Sequence, residues 1–484
     1  MDEEKKTYKN ILLATSIFGS VQVITLISSF VKHKLLSILI GVGGYGIYGI
    51  LNSTVDLIKS ITGFSIENSA VKAIASEKNT KRNNANIVIK LCLLTAFLGC
   101  FITILFSSFI SEYIYSTNKK WYLIAFLGVA VFLKQITGAF TAILQGKSKL
   151  RQLANSNLIS NVLSLIIIIP FFYFFKKNFI VPAIIITAFV NVIIYWIYVK
   201  KNISFDIKIS YKEAIRNGKE IIFFGGLLMM MSFLPLLVNY AMQVIINYED
   251  GINMLGLYNV SILILNTYVG FLFSAMATEY YPRLVTLDYS NEKLSETVRQ
   301  QAILTVLLIV PVILVFIAFG EQIIILLFSK DFTSAYSLLK WAVVGMFFKS
   351  ISFSIGYLFI AKADSKVFMK TSLGFNVLYF LMLYFGYKMD QLNGIGVAIM
   401  IYFLLHLIGV YIIAKMRYKM FFFTTKDILI FILLFSFIIA ALCFIMFNEN
   451  FRLILLIPLL IINFVYTIYK INRLVSLKDL FKKR

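Results

Sequence analysis

The stretch AILTVLLIVPVILVFIAFG, residues 302–320, contains no charged side chain and is long enough to cross a lipid bilayer as one α-helix. Similar stretches recur along all 484 residues, of which 60% are hydrophobic and only 14% are charged. Soluble proteins are typically about 45–50% apolar and about 25% charged. The composition therefore predicts an all-α polytopic membrane protein and excludes a soluble enzyme, a coiled coil, a disordered chain and a disulfide-rich secreted domain.

Fourteen segments are predicted to cross the membrane, since one helical span needs about 20 apolar residues. An even number of spans puts both termini on the same side. The second span is the least apolar because Asp56 and Lys59 lie inside it. The predicted spans are residues 11–31, 43–66, 87–109, 121–144, 153–175, 179–199, 219–247, 252–277, 300–320, 337–360, 368–387, 394–414, 427–447 and 451–470.

Basic residues are distributed unevenly between the two predicted sides of the membrane. The net charge is +23, and the segments on the side of the N-terminus carry more than three times as many Lys and Arg residues as the opposite loops. Because basic loops stay in the cytoplasm, both termini are predicted to be cytoplasmic. The same bias explains the positive charge without a nucleic-acid partner.

Short sequence matches repeat along the chain at a shift of 210 to 215 residues. The shift corresponds to six spans, an even number, so the two halves are predicted to run parallel. Transporters with such repeats bind substrate between the halves. The matches are Gly46-Ile47-Tyr48 with Gly256-Leu257-Tyr258, Phe132–Ile136 with Phe347–Ile351, and Asn161–Leu163 with Asn376–Leu378.

The repeat predicts a domain organisation with an N-terminal six-helix lobe over residues 1–217 and a C-terminal six-helix lobe over residues 218–425. Residues 426–484 lie outside the repeat and are predicted to form an extra helix pair with a basic cytoplasmic tail. Asn463 is almost the only polar residue of this pair, which suits contact with lipid or a groove for an acyl chain.

Lys134 and Lys349 lie near the middle of the fourth and tenth predicted spans, at positions that the repeat equates. A charge at that depth costs a few kcal/mol and normally faces a cavity or a partner. Two such cations predict an anionic substrate, and the alternative is a structural pair satisfied by backbone carbonyls. Each lysine heads a polar or small stripe at helical spacing, formed by Gly138, Thr141 and Gln145 in one half and by Ser352 and Gly356 in the other.

Asp56 and Lys59 are three residues apart in the second predicted span and therefore share one helix face. Asn52 extends the same stripe. The spacing predicts an ion pair within the helix, which lowers the cost of inserting both charges. A structural role and a contact with substrate remain equal alternatives for this group.

Further polar side chains lie on one face of the first, seventh and eighth predicted spans. They are candidates for hydrogen bonds to a polar substrate, although such stripes also serve helix packing. His406 in the twelfth span either packs or titrates in a proton-coupled cycle. The candidate ligands on these three spans are Gln22, Asn239, Gln243 and Asn266.

Catalytic, metal and nucleotide motifs are not found in the sequence. The segment Gln145–Ser148 resembles the end of a phosphate-binding loop, but Thr141 stands where that motif needs glycine. The three cysteines lie in apolar stretches without metal-ligand spacing. No enzymatic activity, catalytic residue, metal site or cofactor is therefore expected.

The sequence resembles the multidrug/oligosaccharidyl-lipid/polysaccharide exporter superfamily in its two six-helix halves and terminal helix pair. Within that superfamily, Lys34–Tyr48 and Gly63–Ala75 are similar to the region of the first two helices of bacterial O-antigen flippases. The segment Tyr281-Pro282-Arg283-Leu284 is similar to a segment of the same flippases.

The resemblance implies a flippase of the bacterial inner membrane that moves an undecaprenyl-pyrophosphate-linked oligosaccharide between leaflets by alternating access. This activity belongs to the synthesis of O-antigen, lipopolysaccharide or a related polysaccharide. The implied partners are the lipid-linked oligosaccharide, membrane lipids, and polysaccharide polymerase and chain-length proteins. A proton or sodium ion is the implied coupling ion.

Four alternatives remain open at the level of sequence. A drug or cation exporter of the same superfamily would favour carboxylates in the cavity, and Asp56 is the only deep one. A lipid II flippase of the superfamily fits nearly as well. A major-facilitator transporter lacks support because Glu67–Asn84 does not match its characteristic loop, and an inactive scaffold would not need lysines inside the membrane.

Overall fold

The described residues of the computed structural model form helices, and no β-strand occurs among them. Side chains are described from Leu26 onward, apart from those of residues 278, 286, 365 and 449–452 and of the segments without a described backbone. The described backbone covers residues 2–76, 84–201, 209–287, 290–362, 364–445 and 449–474.

Fifteen α-helices, joined by short 3₁₀ or π segments, follow one another along this described part of the chain. They are α1 (Asp2–Gly63), α2 (Ile66–Ala75), α3 (Asn84–Leu105), α4 (Ser107–Tyr115), α5 (Trp121–Gly146), α6 (Leu150–Phe175), α7 (Ile180–Lys200), α8 (Tyr211–Asn217), α9 (Lys219–Leu263), α10 (Phe271–Thr286), α11 (Asn291–Leu327), α12 (Tyr336–Ala361), α13 (Ser365–Tyr418), α14 (Thr425–Ile445) and α15 (Glu449–Leu474).

Ten helical stretches in the described part of the chain are long and apolar enough to cross a membrane. Four of these are 38 to 53 residues long, about twice the length that one span needs, and each contains a backbone break. Counting the four long stretches twice gives the fourteen predicted spans. The fold class of an all-α polytopic membrane protein is thereby confirmed. The long stretches are Leu26–Gly63, Leu150–Lys200, Lys219–Val269 and Lys366–Tyr418.

The breaks in the helices repeat in the register that the sequence matches predict. Gly41 and Gly251, 210 residues apart, have nearly identical backbone angles of φ 65°, ψ −174° and φ 80°, ψ −176°. Such positive φ values favour glycine because it has no Cβ. Phe106 and Phe319 form a second pair and end the regular part of the third span in each half. Lys176 and Gln391 form a third pair, with backbone angles of φ 47°, ψ −128° and φ 40°, ψ −126°.

The two helices that begin after Gly41 and Gly251 cross at a pair of glycines. A Cβ atom on Gly46 would collide with the carbonyl oxygen of Ile252, and a Cβ on Gly256 would collide with that of Val42. Val42 and Ile252 are equivalent in the repeat, as are Gly46 and Gly256. Each glycine therefore contacts the equivalent residue of the other helix, as in an isologous interface. Only glycine lets the backbones approach this closely, so the crossing explains the repeated Gly-Ile-Tyr and Gly-Leu-Tyr sequences.

The chain divides into two compact units, which we call the N-terminal unit (Ile27–Asn259) and the C-terminal unit (Met1–Leu26 with Val260–Arg484). In the N-terminal unit, α5 packs against α2, α3 and α7. In the C-terminal unit, α12 packs against α10, α11 and α13, and the terminal pair α14 and α15 packs against α11. The N-terminal unit thus includes most of α9, and the predicted lobe boundaries after residues 217 and 425 stay predictions.

The glycine crossing predicts a stability difference between two Gly→Ala substitutions in the N-terminal unit. Gly46→Ala inserts a methyl group against the Ile252 carbonyl and is expected to lower the free energy of unfolding by about 1–3 kcal/mol. Gly226→Ala in α9 has open space and should be neutral, or stabilising by up to about 1 kcal/mol. Thermal unfolding of detergent-purified protein measures both, and equal melting temperatures would contradict the close crossing.

Candidate functional site

Two adjoining polar cavities lie inside the N-terminal unit. Their volumes are about 240 Å³ and 390 Å³, and they share four lining residues: Asp56, Lys59, Glu67 and Asn68. All four charged or amide side chains come from the end of α1 and the start of α2. Charged residues inside a predicted membrane span are expensive unless they meet a partner or a cavity. The structure provides these charges with both ion-pair partners and a cavity.

Lys134, in the middle of α5, donates a hydrogen bond of 2.9 Å to Oδ1 of Asp56 on α1. The lysine side chain is 26% exposed and the aspartate 47%, so the pair is open to the cavity on one side. The sequence places both residues at bilayer depth, and the structure shows that they neutralise each other. The sequence alone identifies no partner for Lys134, and the contact of this lysine with substrate stays a prediction.

Lys59 forms the second ion pair, at 2.8 Å and 3.0 Å to the two carboxylate oxygens of Glu67. Phe64 and Ser65 adopt left-handed backbone angles, φ 49° and 43°, which end α1 and turn the chain into α2. That turn carries Glu67 back to Lys59. The sequence predicts a pair between Asp56 and Lys59 within one helix, whereas in the structure each of them pairs with a residue of another helix.

Glu67 is the charged cavity residue that sequence reasoning missed, because it falls just after a predicted span, in a predicted loop. The only sequence signal for it is its place inside the Gly63–Ala75 segment that resembles the flippases. Gly138 of α5 creates the space that Glu67 needs, because a Cβ there would collide with the Glu67 carboxylate. Gly63 does the same for Gln135, because a Cβ there would collide with the Gln135 amide.

The predicted stripe on α5 lines the larger of the two cavities along its whole length. Its members after Lys134 are Gly138, Thr141 and Gln145, and Asn191 of α7 faces them. The side-chain oxygen of Asn191 is buried without a hydrogen-bond partner, as is that of Gln135 beside the smaller cavity. Unpaired buried acceptors are costly, so these amides are suited to hydrogen bonds with donors of a ligand.

The arrangement is therefore a polar cavity with two lysines and two carboxylates, formally neutral in total. Each ion pair lies on the cavity wall rather than in closed packing. An anion that entered could exchange with a carboxylate at a lysine, and hydroxyl-rich groups could bond to the amides. No group of three or more His, Cys, Asp or Glu side chains suited to a metal occurs among the described residues.

Asn239 and Gln243, predicted as substrate ligands, form hydrogen bonds within the N-terminal unit. Gln243 of α9 is 3% exposed and donates to the hydroxyl of Ser53 on α1 at 2.9 Å. Asn239 accepts a hydrogen bond of 3.2 Å from the hydroxyl of Tyr258. Gln243 therefore joins α9 to α1, and Asn239 joins the two parts of α9 on either side of Gly251. Their contact with substrate stays a prediction.

The remaining candidates are placed in different parts of the molecule. The amide of Asn52 donates to the carbonyl oxygen of Tyr48, one turn back on α1. Asn266 is exposed and lies in the π-helical segment Ile264–Val269, which widens the helix locally. Gln22 belongs to α1, but its side chain lies outside the described residues.

Lys349 lies in the C-terminal unit, where Lys349, Ser352 and Gly356 line a separate cavity of about 340 Å³. The second predicted stripe, like the first, thus follows a cavity wall. Lys349 is surrounded by aromatic rings instead of a carboxylate. The predicted meeting of Lys134 and Lys349 in one central cavity stays a prediction.

Paired helix breaks in an all-helical membrane fold, with cavities along α5 and α12, are typical of membrane transporters and flippases. The chain belongs to the family described as polysaccharide biosynthesis protein, whose model matches residues 35–337. No curated protein matches the sequence.

Solved structures share this fold at low sequence identity. Lipid II flippase MurJ in an inward closed conformation has a TM-score of 0.72 and 15% identity, covering 94% of this chain and 99% of that one. An inward-facing multidrug resistance MATE family transporter of the MOP superfamily has a TM-score of 0.64 and 13% identity, covering 84% and 98%. The Vibrio cholerae MATE transporter VcmN in the bent form has a TM-score of 0.56 and 12% identity, covering 86% and 98%. The chain therefore shares the fold of these three structures.

The partial exposure of the ion pairs predicts that they contribute little to stability. Lys134→Met and Asp56→Asn should each change the free energy of unfolding by about 1 kcal/mol or less, as for exposed pairs. Thermal unfolding of the purified variants checks this value. A loss of about 3–5 kcal/mol, which follows when one partner of a buried pair is stranded, would make the pair a structural element instead.

Proposed function

We propose that this protein is a flippase that moves a polyprenyl-pyrophosphate-linked oligosaccharide, an O-antigen or related polysaccharide repeat unit, across the bacterial inner membrane by alternating access. The observation that carries the proposal is the polar cavity with two exchangeable lysines, in a chain of the polysaccharide biosynthesis family. Both termini are cytoplasmic in this proposal, as the distribution of basic residues predicts.

The ion pairs suggest how such a substrate is held. The pyrophosphate replaces Asp56 at Lys134 and Glu67 at Lys59, so a charge-assisted bond is exchanged for another one of the same kind. Sugar hydroxyls then donate to the unpaired oxygens of Gln135 and Asn191. The polyprenyl chain stays in the lipid, and polymerase and chain-length proteins take the product on the outer face.

The coupling ion in this proposal is a proton or a sodium ion.

The alternatives fit the cavity less well. A cationic drug would need unpaired carboxylates, whereas Asp56 and Glu67 are both occupied by lysines. The MATE structures cover 84–86% of this chain and the MurJ structure 94%, so the extent of the chain is more similar to that of the lipid flippase. Lipid II carries a pyrophosphate as well, and experiment separates it from the oligosaccharide.

Deletion of the gene is expected to cause accumulation of the lipid-linked oligosaccharide in the cytoplasmic leaflet. The wild-type gene should restore export, and Lys59→Met or Lys134→Met should reduce the export rate about tenfold or more, equivalent to about 1.4 kcal/mol of lost binding. Labelling of the outer leaflet with a membrane-impermeant reagent measures the rate. Lys90→Met is the matched control, because this lysine of α3 contacts Tyr211 and lies outside both cavities.

Two results would overturn the proposed substrate. Accumulation of lipid II with cell lysis would identify a lipid II flippase, and altered sensitivity to cationic drugs without any accumulated glycolipid would identify an exporter. Full export by both lysine variants would leave the activity intact and remove Lys59 and Lys134 from the site.

The exchange of anions predicts that removal of a carboxylate strengthens anion binding. Asp56→Asn or Glu67→Gln should bind inorganic pyrophosphate about tenfold more tightly than the wild type, because one competitor is lost. Isothermal titration calorimetry of the detergent-purified protein at pH 7 measures the affinity. Glu213→Gln on α8 is the control, since Glu213 lines neither cavity. Weaker binding by the cavity variants would contradict the exchange.

A further inference from the structure

The cavity of about 340 Å³ in the C-terminal unit differs in character from the two polar cavities of the N-terminal unit. It is a partly open cavity lined by α12 and α13, and aromatic rings form much of its wall, among them Phe353, Tyr357, Phe375, Tyr402 and Phe403. Its volume lies within the range of about 300–1,000 Å³ that small-molecule pockets occupy. A mostly apolar wall rich in aromatic rings, with a few polar groups, is also typical of such pockets.

Lys349 supplies the positive charge of this cavity. Its ammonium group lies 5.3 Å from the ring centre of Phe273 and 5.1 Å from that of Phe403. Within the described residues, no carboxylate lies at salt-bridge distance from it. Ring faces attract a cation but carry no net charge. Lys349 therefore keeps an uncompensated charge, in contrast to its repeat equivalent Lys134.

Two further polar groups of the cavity have unused hydrogen-bonding capacity. His406 packs edge-on against Phe375 at 4.5 Å, and its Nδ1 atom is buried without a hydrogen-bond partner. The amide nitrogen of Asn376 donates to the carbonyl oxygen of Ser372 at 2.8 Å, which leaves its side-chain oxygen as an acceptor facing the cavity lining. A cation, a ring nitrogen and an amide oxygen are thus distributed among aromatic faces.

We propose that this cavity is a saccharide subsite that binds a sugar ring bearing a carboxylate. The aromatic faces are electron-rich and pack against the C–H faces of a pyranose ring. Asn376 and His406 accept or donate hydrogen bonds with the ring hydroxyls, and Lys349 pairs with the carboxylate. The inference rests on the proposed function and adds that an acidic sugar of the oligosaccharide is recognised here.

Other occupants match the same wall less well. A polyprenyl chain would cover Lys349 and His406 without satisfying either, and burying an unpaired charge or polar atom is costly. A cationic drug would meet Lys349 as a like charge. A phosphate group would satisfy the lysine but would leave the aromatic faces, which form much of the wall, without a matching surface.

The experiment uses the purified full-length protein in detergent micelles and a matched pair of disaccharides. Cellobiouronic acid carries a carboxylate where cellobiose carries a hydroxymethyl group, so the pair differs in that group alone. Saturation-transfer NMR is expected to show at least about tenfold tighter binding of the acidic disaccharide. Lys349→Met should abolish this preference, and Lys349→Arg should retain it.

One variant keeps the result specific to this cavity. Lys340→Met lies on α12 outside the cavity lining and should keep the preference. Equal binding of the two disaccharides, or a preference that survives Lys349→Met, would overturn the proposal. Displacement of the acidic disaccharide by inorganic pyrophosphate at lower concentration, dependent on Lys349, would assign the cavity to the lipid headgroup instead. These outcomes leave the accumulation measured in the deletion strain unchanged, so a failed subsite and a failed flippase assignment are distinguishable.

Discussion

The hydrogen-bonding demand of the backbone inside a hydrocarbon layer is the constraint on which this structure depends. Each peptide group must be satisfied within the chain, so spans are helices and breaks occur only at defined places. Here the breaks pair between the halves, at Gly41 and Gly251 and at Lys176 and Gln391, with matching backbone angles. Two glycines with φ near 65° and 80° redirect the chain, and the helices that follow can then cross at Gly46 and Gly256.

The spans and the repeat were predictable because both are local properties of the sequence. Hydropathy identifies each apolar stretch, and the Gly-Ile-Tyr and Gly-Leu-Tyr matches lie just after the two glycine turns. The short helices α2, α4 and α8 were not predicted. They are 10, 9 and 7 residues long, and their position depends on packing against α5 or α3, which no local pattern reports.

The sequence predicted which face of α5 lines a cavity, but it did not predict the partners of the charged residues. Helical spacing puts Lys134, Gly138 and Thr141 on one face, and that face does line a cavity. The partners of the charges depend on tertiary structure, and the sequence therefore failed to find them. Asp56 lies closer in sequence to Lys59 than to Lys134, yet a helix crossing joins it to the latter, and the turn at Ser65 brings Glu67 to Lys59.

The two halves keep the same succession of spans and breaks while their equivalent lysines have acquired different surroundings. The charge of Lys134 is balanced by Asp56. An anion that replaces this carboxylate therefore gains only the difference in free energy between two charge-assisted hydrogen bonds. Lys349 faces rings that offer no counter-charge, so an anion there meets no competitor. In the function proposed above, the balanced lysine provides reversible exchange in one half and the unbalanced lysine provides selective recognition in the other. A substrate that has to be held during transport and then released requires both properties.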